Sequence, residues 1–179
     1  MANVNLQPTF LKNAILELVP LKPEAFEALY AVASDPLIWE QHPTRNRYQK
    51  AIFTTFFEGA IASKGAFLVL DTPTQEPVGS TRFYDFNADD KSIKIGYSFL
   101  SRVCWGKNYN RAMKTLMMEY AFEFADRILF EIGGSNLRSQ KAIERLGAQK
   151  IGEEAIAYFG EQPNTNFIYK LDKVDWENL

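Results

Sequence analysis

The sequence predicts one α/β domain over residues 1–179, with helices flanking a single mixed sheet. Three observations predict it. Apolar residues make up 46% of the chain and charged residues 23%, the balance of one globular domain with a sizeable core. Strand-like and helix-like spacings alternate in the order βααβββαβαββ. No internal repeat, linker or low-complexity stretch interrupts them.

The elements follow in order. AILELVPL (14–21) has strand character and stops at Pro20. KPEAFEALYAVAS (22–34) reads as a helix with Pro23 and Glu24 in its first turn. Phe26, Leu29, Tyr30 and Ala33 share its apolar face. DPLIWEQHP (35–43) is a loop or broken helix between two prolines. A second helix is expected from about Tyr48 to Ser63, ending at Gly65.

The period then changes. AFLVLD (66–71), VGSTRFYDF (78–86) and SIKIGYSFL (92–100) are strands separated by the turns TPTQEP and NADDK, an antiparallel meander. In the third, Ile93, Ile95, Tyr97 and Phe99 are expected to face one way. A helix begins near Tyr109. Ala112, Met113, Leu116, Met117, Tyr120, Ala121 and Phe124 recur along it at helical spacing, so one face packs on the sheet. RILFEI (127–132) is the next strand, and Asn136 to Leu146 a shorter helix stopped by Gly147. AQKIGEEAIAYF (148–159) and NTNFIYKLD (164–172) form a closing hairpin around GEQPN.

Composition narrows the function. The formal net charge of −2 gives no support to nucleic-acid or anionic-membrane binding. One cysteine, Cys104, and one histidine, His42, exclude an intrachain disulfide and argue against a zinc site or a Ser-His-Asp triad, so no metal is expected. The amino terminus lacks a basic start followed by an apolar run, and no apolar stretch approaches the roughly 20 residues of a membrane span. A cytoplasmic protein is expected.

The segment SRVCWGKNYNRAMK (101–114) leads into the helix from Tyr109. A helix start carries unpaired N–H groups and partial positive charge, which acidic side chains usually complement. Here the flanking charges are Lys107, Arg111 and Lys114, with no carboxylate before Glu119. One reading is an anion site, with Gly106 allowing close approach and Asn108 and Asn110 tolerating positive φ. The other is an ordinary helix start with Asn110 as N-cap and three solvated cations. The Walker and dinucleotide-binding glycine patterns are both absent.

At these residues the chain resembles the GNAT N-acetyltransferase superfamily, in particular the branch with ribosomal-protein N-terminal acetyltransferases. WGKNYN (105–110) stands where the family has Gln/Arg-x-x-Gly-x-Gly/Ala. EYAFEF (119–124) and RILFEIGGSNLRSQKAIERLGAQKIG (127–152) follow the branch's pattern, as do PVGSTRFYDF and KIGYSFL upstream. Asn108 and Asn110 depart from it by replacing small residues of the loop.

The resemblance implies a mostly antiparallel sheet splayed between strands four and five, and acetyl-coenzyme A as co-substrate. It implies that Trp105, Gly106, Lys107, Asn108, Tyr109, Asn110 and Arg111 hold the pyrophosphate. The coenzyme arm would lie along the strand end from Tyr97 to Arg102, with Phe99 and Leu100 offering backbone groups and Phe99 or a neighbour polarising the thioester. Asn136 would bond the arm and Ser139 would lie near the sulfur. Both residues also suit a plain helix start. The tyrosine that many members use as proton donor falls at Ile143. A base is not evident, since Lys94 stands where members often carry glutamate. Glu131, expected on a solvated strand face, Asp85, expected in a turn, and His42 remain candidates, as does water. Trp39 either lines the acceptor pocket or caps the core, and Cys104 is structural.

The implied activity is acetyl transfer by direct attack of a primary amine, from a protein amino terminus or a small molecule. The alternative is a non-catalytic acyl-coenzyme A-binding or regulatory protein of the same fold. A homodimer through the carboxy-terminal strands fits the resemblance.

Overall fold

The computed structural model describes residues 4–178. Seven strands form one sheet: β1 (Leu16–Pro20), β2 (Ala66–Asp71), β3 (Pro77–Asn87), β4 (Ser92–Leu100), β5 (Arg127–Gly133), β6 (Gln149–Ile156) and β7 (Asn164–Asp172). The helices are α1 (Phe26–Ala33), α2 (Lys50–Ser63), α3 (Tyr109–Ala121), α4 (Leu137–Glu144) and α5 (Lys173–Glu177). The expected order of elements is present, with α5 added at the end. The Pro23 helix begins as a 3-10 turn, Pro23–Ala25, that runs into α1. Short 3-10 turns also occupy Pro36–Ile38 and Arg102–Cys104.

Strand order is β1-β2-β3-β4-β5-β7-β6, antiparallel everywhere except β4–β5. That parallel pair is brief, joining Ser92–Lys94 to Arg127–Leu129. Beyond Lys94, β4 stays with β3 as far as Leu100, while β5 stays with β7 as far as Gly133. The sheet therefore opens into a V at the carboxy ends of β4 and β5.

The two faces of the sheet carry separate cores. On β2, Phe67 and Val69 join the cluster with Met113, Met117 and Ala121 of α3 and Ile143 of α4. Ala66 and Leu68 join Leu29 of α1 and Phe53, Phe56 and Phe57 of α2. Neighbouring strand residues point to opposite faces, so α3 and α4 cover one face and α1 and α2 the other.

β4 departs from its expected alternation. Its ladder to β3 shifts between Ser80–Phe99 and Arg82–Gly96, placing an extra residue in β4. Tyr97 takes φ +52 there. An inserted residue reverses facing. Ile93 and Ile95 thus pack on the α3 side, whereas Tyr97 and Phe99 pack with α1 and α2. Asp85 sits in a similar irregularity of β3, at φ +50, rather than in a turn.

Candidate active site

A cavity of about 610 Å³ occupies the V and reaches both sheet faces. On the α3 side its wall begins at the segment before that helix. Gly106 has φ +72, and a Cβ there would meet nothing within 4 Å. Asn108 has φ +67 and is the residue that precedes the helix; its side chain makes no capping bond. Asn110 is thus not the N-cap but a first-turn residue, because Asn108 already makes the left-handed entry.

The N–H groups of Asn108, Tyr109, Asn110 and Arg111 have no acceptor among the described residues, and the first helical bond runs from Ala112 N–H to Asn108 C=O at 2.9 Å. Tyr109 anchors this end, its hydroxyl donating to Asp71 at 2.5 Å. That bond pushes the phenol up to about 12. Lys107 is exposed, bonds through its N–H to Cys104 C=O at 3.3 Å, and does not line the cavity. Arg111 lines it.

Lys114, which the sequence offers either as charge at an anion site or as a solvated cation, is 4% exposed. The helical period that places Met113 and Met117 on the sheet also turns Lys114 inward. Its amine donates to Ser98 Oγ at 2.6 Å and meets no carboxylate among the described residues.

Strand β4 supplies backbone groups. Ser101 N–H donates to Val78 C=O at 2.7 Å, which makes the register partners Phe99 and Ser80 a hydrogen-bonded pair. Phe99 N–H is therefore used toward β3, and the Leu100 groups face the opening. Leu100 C=O accepts the Trp105 indole N–H at 3.1 Å, leaving its N–H toward the cavity. The Arg138 guanidinium lies 3.9 Å from the centroid of the Trp105 ring and ties α4 to this loop.

At α4, Asn136 Oδ1 accepts the Ser139 N–H at 3.2 Å, an N-cap bond. Ser139 Oγ has no hydrogen-bond partner among the described residues. Asn136, Ser139 and Ile143 all line the cavity.

The α1–α2 side holds the remaining candidates. Trp39 is 2% exposed, donates to Ala33 C=O at 2.7 Å, and packs on Phe99 at 4.9 Å, so it both caps the core and lines the cavity. His42 faces two N–H donors: Thr44 N–H at 3.0 Å from Nδ1 and Arg47 at 3.2 Å from Nε2. Burial, then the Arg47 charge, holds its ionisation well below the usual histidine range. Neutral imidazole has one lone pair to offer, and these donors already face it. Arg47 also pairs with Glu161, and Thr44 Oγ1 donates to Glu161 at 2.6 Å.

Glu131 is not on a solvated face. Its side chain is 6% exposed, because it points into the V rather than out from the sheet. It accepts from Tyr84 at 3.0 Å and from Tyr158 at 3.3 Å, and pairs with Lys94 at 2.5 Å. Burial first, then the Glu131 charge, pushes both phenols well up. Asp85 pairs with the other side of Lys94 at 3.0 Å, but its side chain is 63% exposed and does not line the cavity.

Cys104 is buried, and burial pushes its thiol up, so the thiolate a nucleophile needs is disfavoured. The structure thus brings into one cavity Phe99, Leu100, Trp105, Gly106, Asn108, Tyr109, Asn110, Arg111, Asn136, Ser139, His42 and Glu131, and leaves out Lys107. Tyr84, Arg47, Arg138 and Tyr158 also line it and carried no signal of their own in the sequence, and Lys114, a flanking charge of the loop, lines it from α3. Among the described residues no helix is long and apolar enough to cross a membrane.

A family model described as an acetyltransferase (GNAT) domain matches residues 16–149. Solved structures share the fold. A GCN5-related N-acetyltransferase from Brucella melitensis superposes with TM-score 0.77 at 18% identity, over 99% of this chain and 86% of its own. RimJ of Mycobacterium smegmatis, solved with CoA-disulfide, gives 0.69 at 14% identity, over 89% and 83%. The microcin C7 self-immunity acetyltransferase MccE, solved with acetyl-CoA and AMP, gives 0.72 at 16% identity, over 95% and 99%.

Proposed function

The chain belongs to the GNAT acetyltransferase family, and from that premise we propose that it transfers the acetyl group of acetyl-coenzyme A to a primary amine by direct attack on the thioester. The observation that carries this reading is the set of N–H groups from Asn108 to Arg111, unpaired among the described residues and opening into a cavity that reaches both faces of the sheet. Converging amides at a helix start favour a diphosphate, and Arg111 adds charge.

From that anchor the coenzyme arm runs into the V along β4. The Leu100 N–H bonds the arm, and β4 groups nearer the Tyr97 irregularity polarise the thioester carbonyl as it becomes tetrahedral. The Asn136 amide bonds the arm from α4, and the Ser139 hydroxyl donates a hydrogen bond toward the sulfur. The acceptor amine enters from the α1–α2 side, between Trp39 and the tyrosines around Glu131. Glu131 takes the proton that the amine must shed before it attacks. It is preferred to His42, whose nitrogens are both faced by donors, and to Asp85, which lies outside the cavity.

The acceptor is a protein amino terminus or a small amine. A second copy docks, in this reading, along the carboxy-terminal strands, where β6 is a largely exposed sheet edge. Thiol release from acetyl-coenzyme A, measured against a panel of peptides and small amines, tests the activity. Turnover with any of them supports it. Tight binding without turnover on every acceptor favours a non-catalytic acyl-coenzyme A-binding protein, the reading that the replacements at Asn108 and Asn110 motivate.

A further inference from the structure

We propose that Lys114 is the acid of the transfer step: its ammonium form gives a proton to the coenzyme sulfur as the carbon–sulfur bond breaks. This rests on the reading of the cavity as a thioester site.

Lys114 is 4% exposed, lines the cavity on its α3 side, and has one polar partner among the described residues, Ser98 Oγ at 2.6 Å. That hydroxyl also lies 2.7 Å from Thr81 Oγ1 and 3.2 Å from Gly96 C=O. A buried ammonium normally pairs with a carboxylate. Among the described residues this one is held by a single neutral hydroxyl. The other titratable groups lining the cavity are Cys104 before α3, Tyr109 and Arg111 on α3, Tyr84 on β3, Tyr97 on β4, Glu131 on β5, Arg138 and Arg145 on α4, and, from the α1–α2 side and the β6–β7 loop, His42, Arg47 and Tyr158. None is within hydrogen-bond distance of the amine. Burial alone brings its ionisation down to about 7.

Position gives the amine its task. Ser98 directly follows Tyr97, the irregular residue of β4, and precedes Leu100 by two positions. A coenzyme arm running from the Asn108–Arg111 amides along β4 meets Leu100 first and Ser98 next, so its thioester end comes to Lys114. Helical side chains lean toward the amino end of their helix, which aims Lys114 at the same arm.

The proton count requires such a group. The amine nitrogen forms a bond to the thioester carbon and loses its second proton to water, and the carbon–sulfur bond breaks with its electron pair going to sulfur. The thiolate then takes one proton to become free coenzyme thiol. Ser139 can donate a hydrogen bond to that sulfur, but a serine hydroxyl is a far weaker acid than a thiol, which ionises near about 8.5. An ammonium ionising near 7 is a stronger acid than the thiol, and so completes the transfer. Lys114, left neutral, regains a proton from water after product leaves.

The test compares the wild type with Lys114→Met, which fills similar volume without an amine. Thermal unfolding at pH 8 first establishes that the variant folds. With a turned-over acceptor, the expected result is a kcat lower by about a hundredfold or more, with acetyl-coenzyme A affinity by calorimetry within about threefold. The alkaline fall in the wild-type pH profile of kcat is expected to vanish in the variant. Unchanged kcat with an unchanged profile overturns the proposal. So does a parallel loss of affinity and rate with the alkaline fall retained, which makes Lys114 a binding group. A wild type that binds no acetyl-coenzyme A overturns the parent reading instead, and the wild-type titration alone reveals it.

Discussion

The Arg82 guanidinium lies 3.8 Å from the centroid of the Tyr97 ring, and the Tyr97 backbone beneath that ring has φ +52. The stack joins a cation without a carboxylate partner among the described residues to the position where β4 changes faces. Tyr84 at 5.0 Å and Tyr158 at 5.2 Å hold the same ring from other sides. Ring packing thus offsets a backbone angle that an L-residue adopts at a cost of about 1–2 kcal/mol. Without it, nothing local favours the irregularity that opens the cavity. Removing the ring is therefore expected to destabilise the protein, and what replaces it decides by how much. Tyr97→Ala loses the packing and keeps the strain, whereas Tyr97→Gly loses only the packing. Chemical denaturation should place the glycine variant about 1 kcal/mol above the alanine variant, the reverse of the usual order in a strand.

Asn108, at φ +67, obeys the same rule in a different place. Asn108→Gly is expected to keep or raise stability and to bind acetyl-coenzyme A at least as well, since glycine reaches this angle freely. Asn108→Ala is expected to lose about 1 kcal/mol and to weaken binding, because the cost of the left-handed angle falls on the loop that aims the amides. Denaturation and calorimetry on the same two variants check both halves.

The two α4 candidates should separate cleanly. Asn136 makes the N-cap bond, so Asn136→Ala is expected to cost about 1 kcal/mol of stability whatever its role in binding. Ser139 Oγ makes no bond among the described residues, so Ser139→Ala should stay within about 0.5 kcal/mol of the wild type while turnover falls. Unchanged turnover in a folded Ser139→Ala protein removes the hydroxyl from the mechanism.

Lys114 also predicts a pH dependence of stability. Its ionisation is about 7 in the fold against the 10.5 of an unburied lysine. Between those values the unfolded chain holds a proton that the folded one does not, so unfolding takes up a proton and is favoured by acid. The contribution of Lys114 to stability therefore rises with pH from about 7 to about 10.5, at up to about 1.4 kcal/mol per pH unit, and its full penalty is felt below 7. Lys114→Met is expected to remove that slope and to unfold at a higher temperature than the wild type at pH 7. Equal slopes in the two proteins contradict the assignment.

What the sequence disclosed follows the reach of local patterns. The amphipathic spacing from Ala112 to Ala121 reports α3 directly, because one face must bury against the sheet. Asn136 three residues before Ser139 reports a helix start, because the cap is a local bond. The facing of Tyr97 and Phe99 was not legible, since one inserted residue reverses a strand without changing its composition. Lys114 read as charge at an anion site or as a solvated cation, although its spacing from Met113 and Met117 already turned it inward. Glu131 looked exposed for a related reason: only the parting of β4 from β5 makes an interior there. The pair of Arg47 with Glu161 spans 114 positions and exists only once the β6–β7 loop folds back over the residues before α2.

The central claim is that the amino end of α3 seats a coenzyme diphosphate, and backbone amide resonances report on it most directly. Titrating the ¹⁵N-labelled protein with acetyl-coenzyme A is predicted to give its largest amide shifts at Gly106 and from Asn108 to Arg111. Shifts confined to other residues, or no shifts at saturating coenzyme, contradict the account.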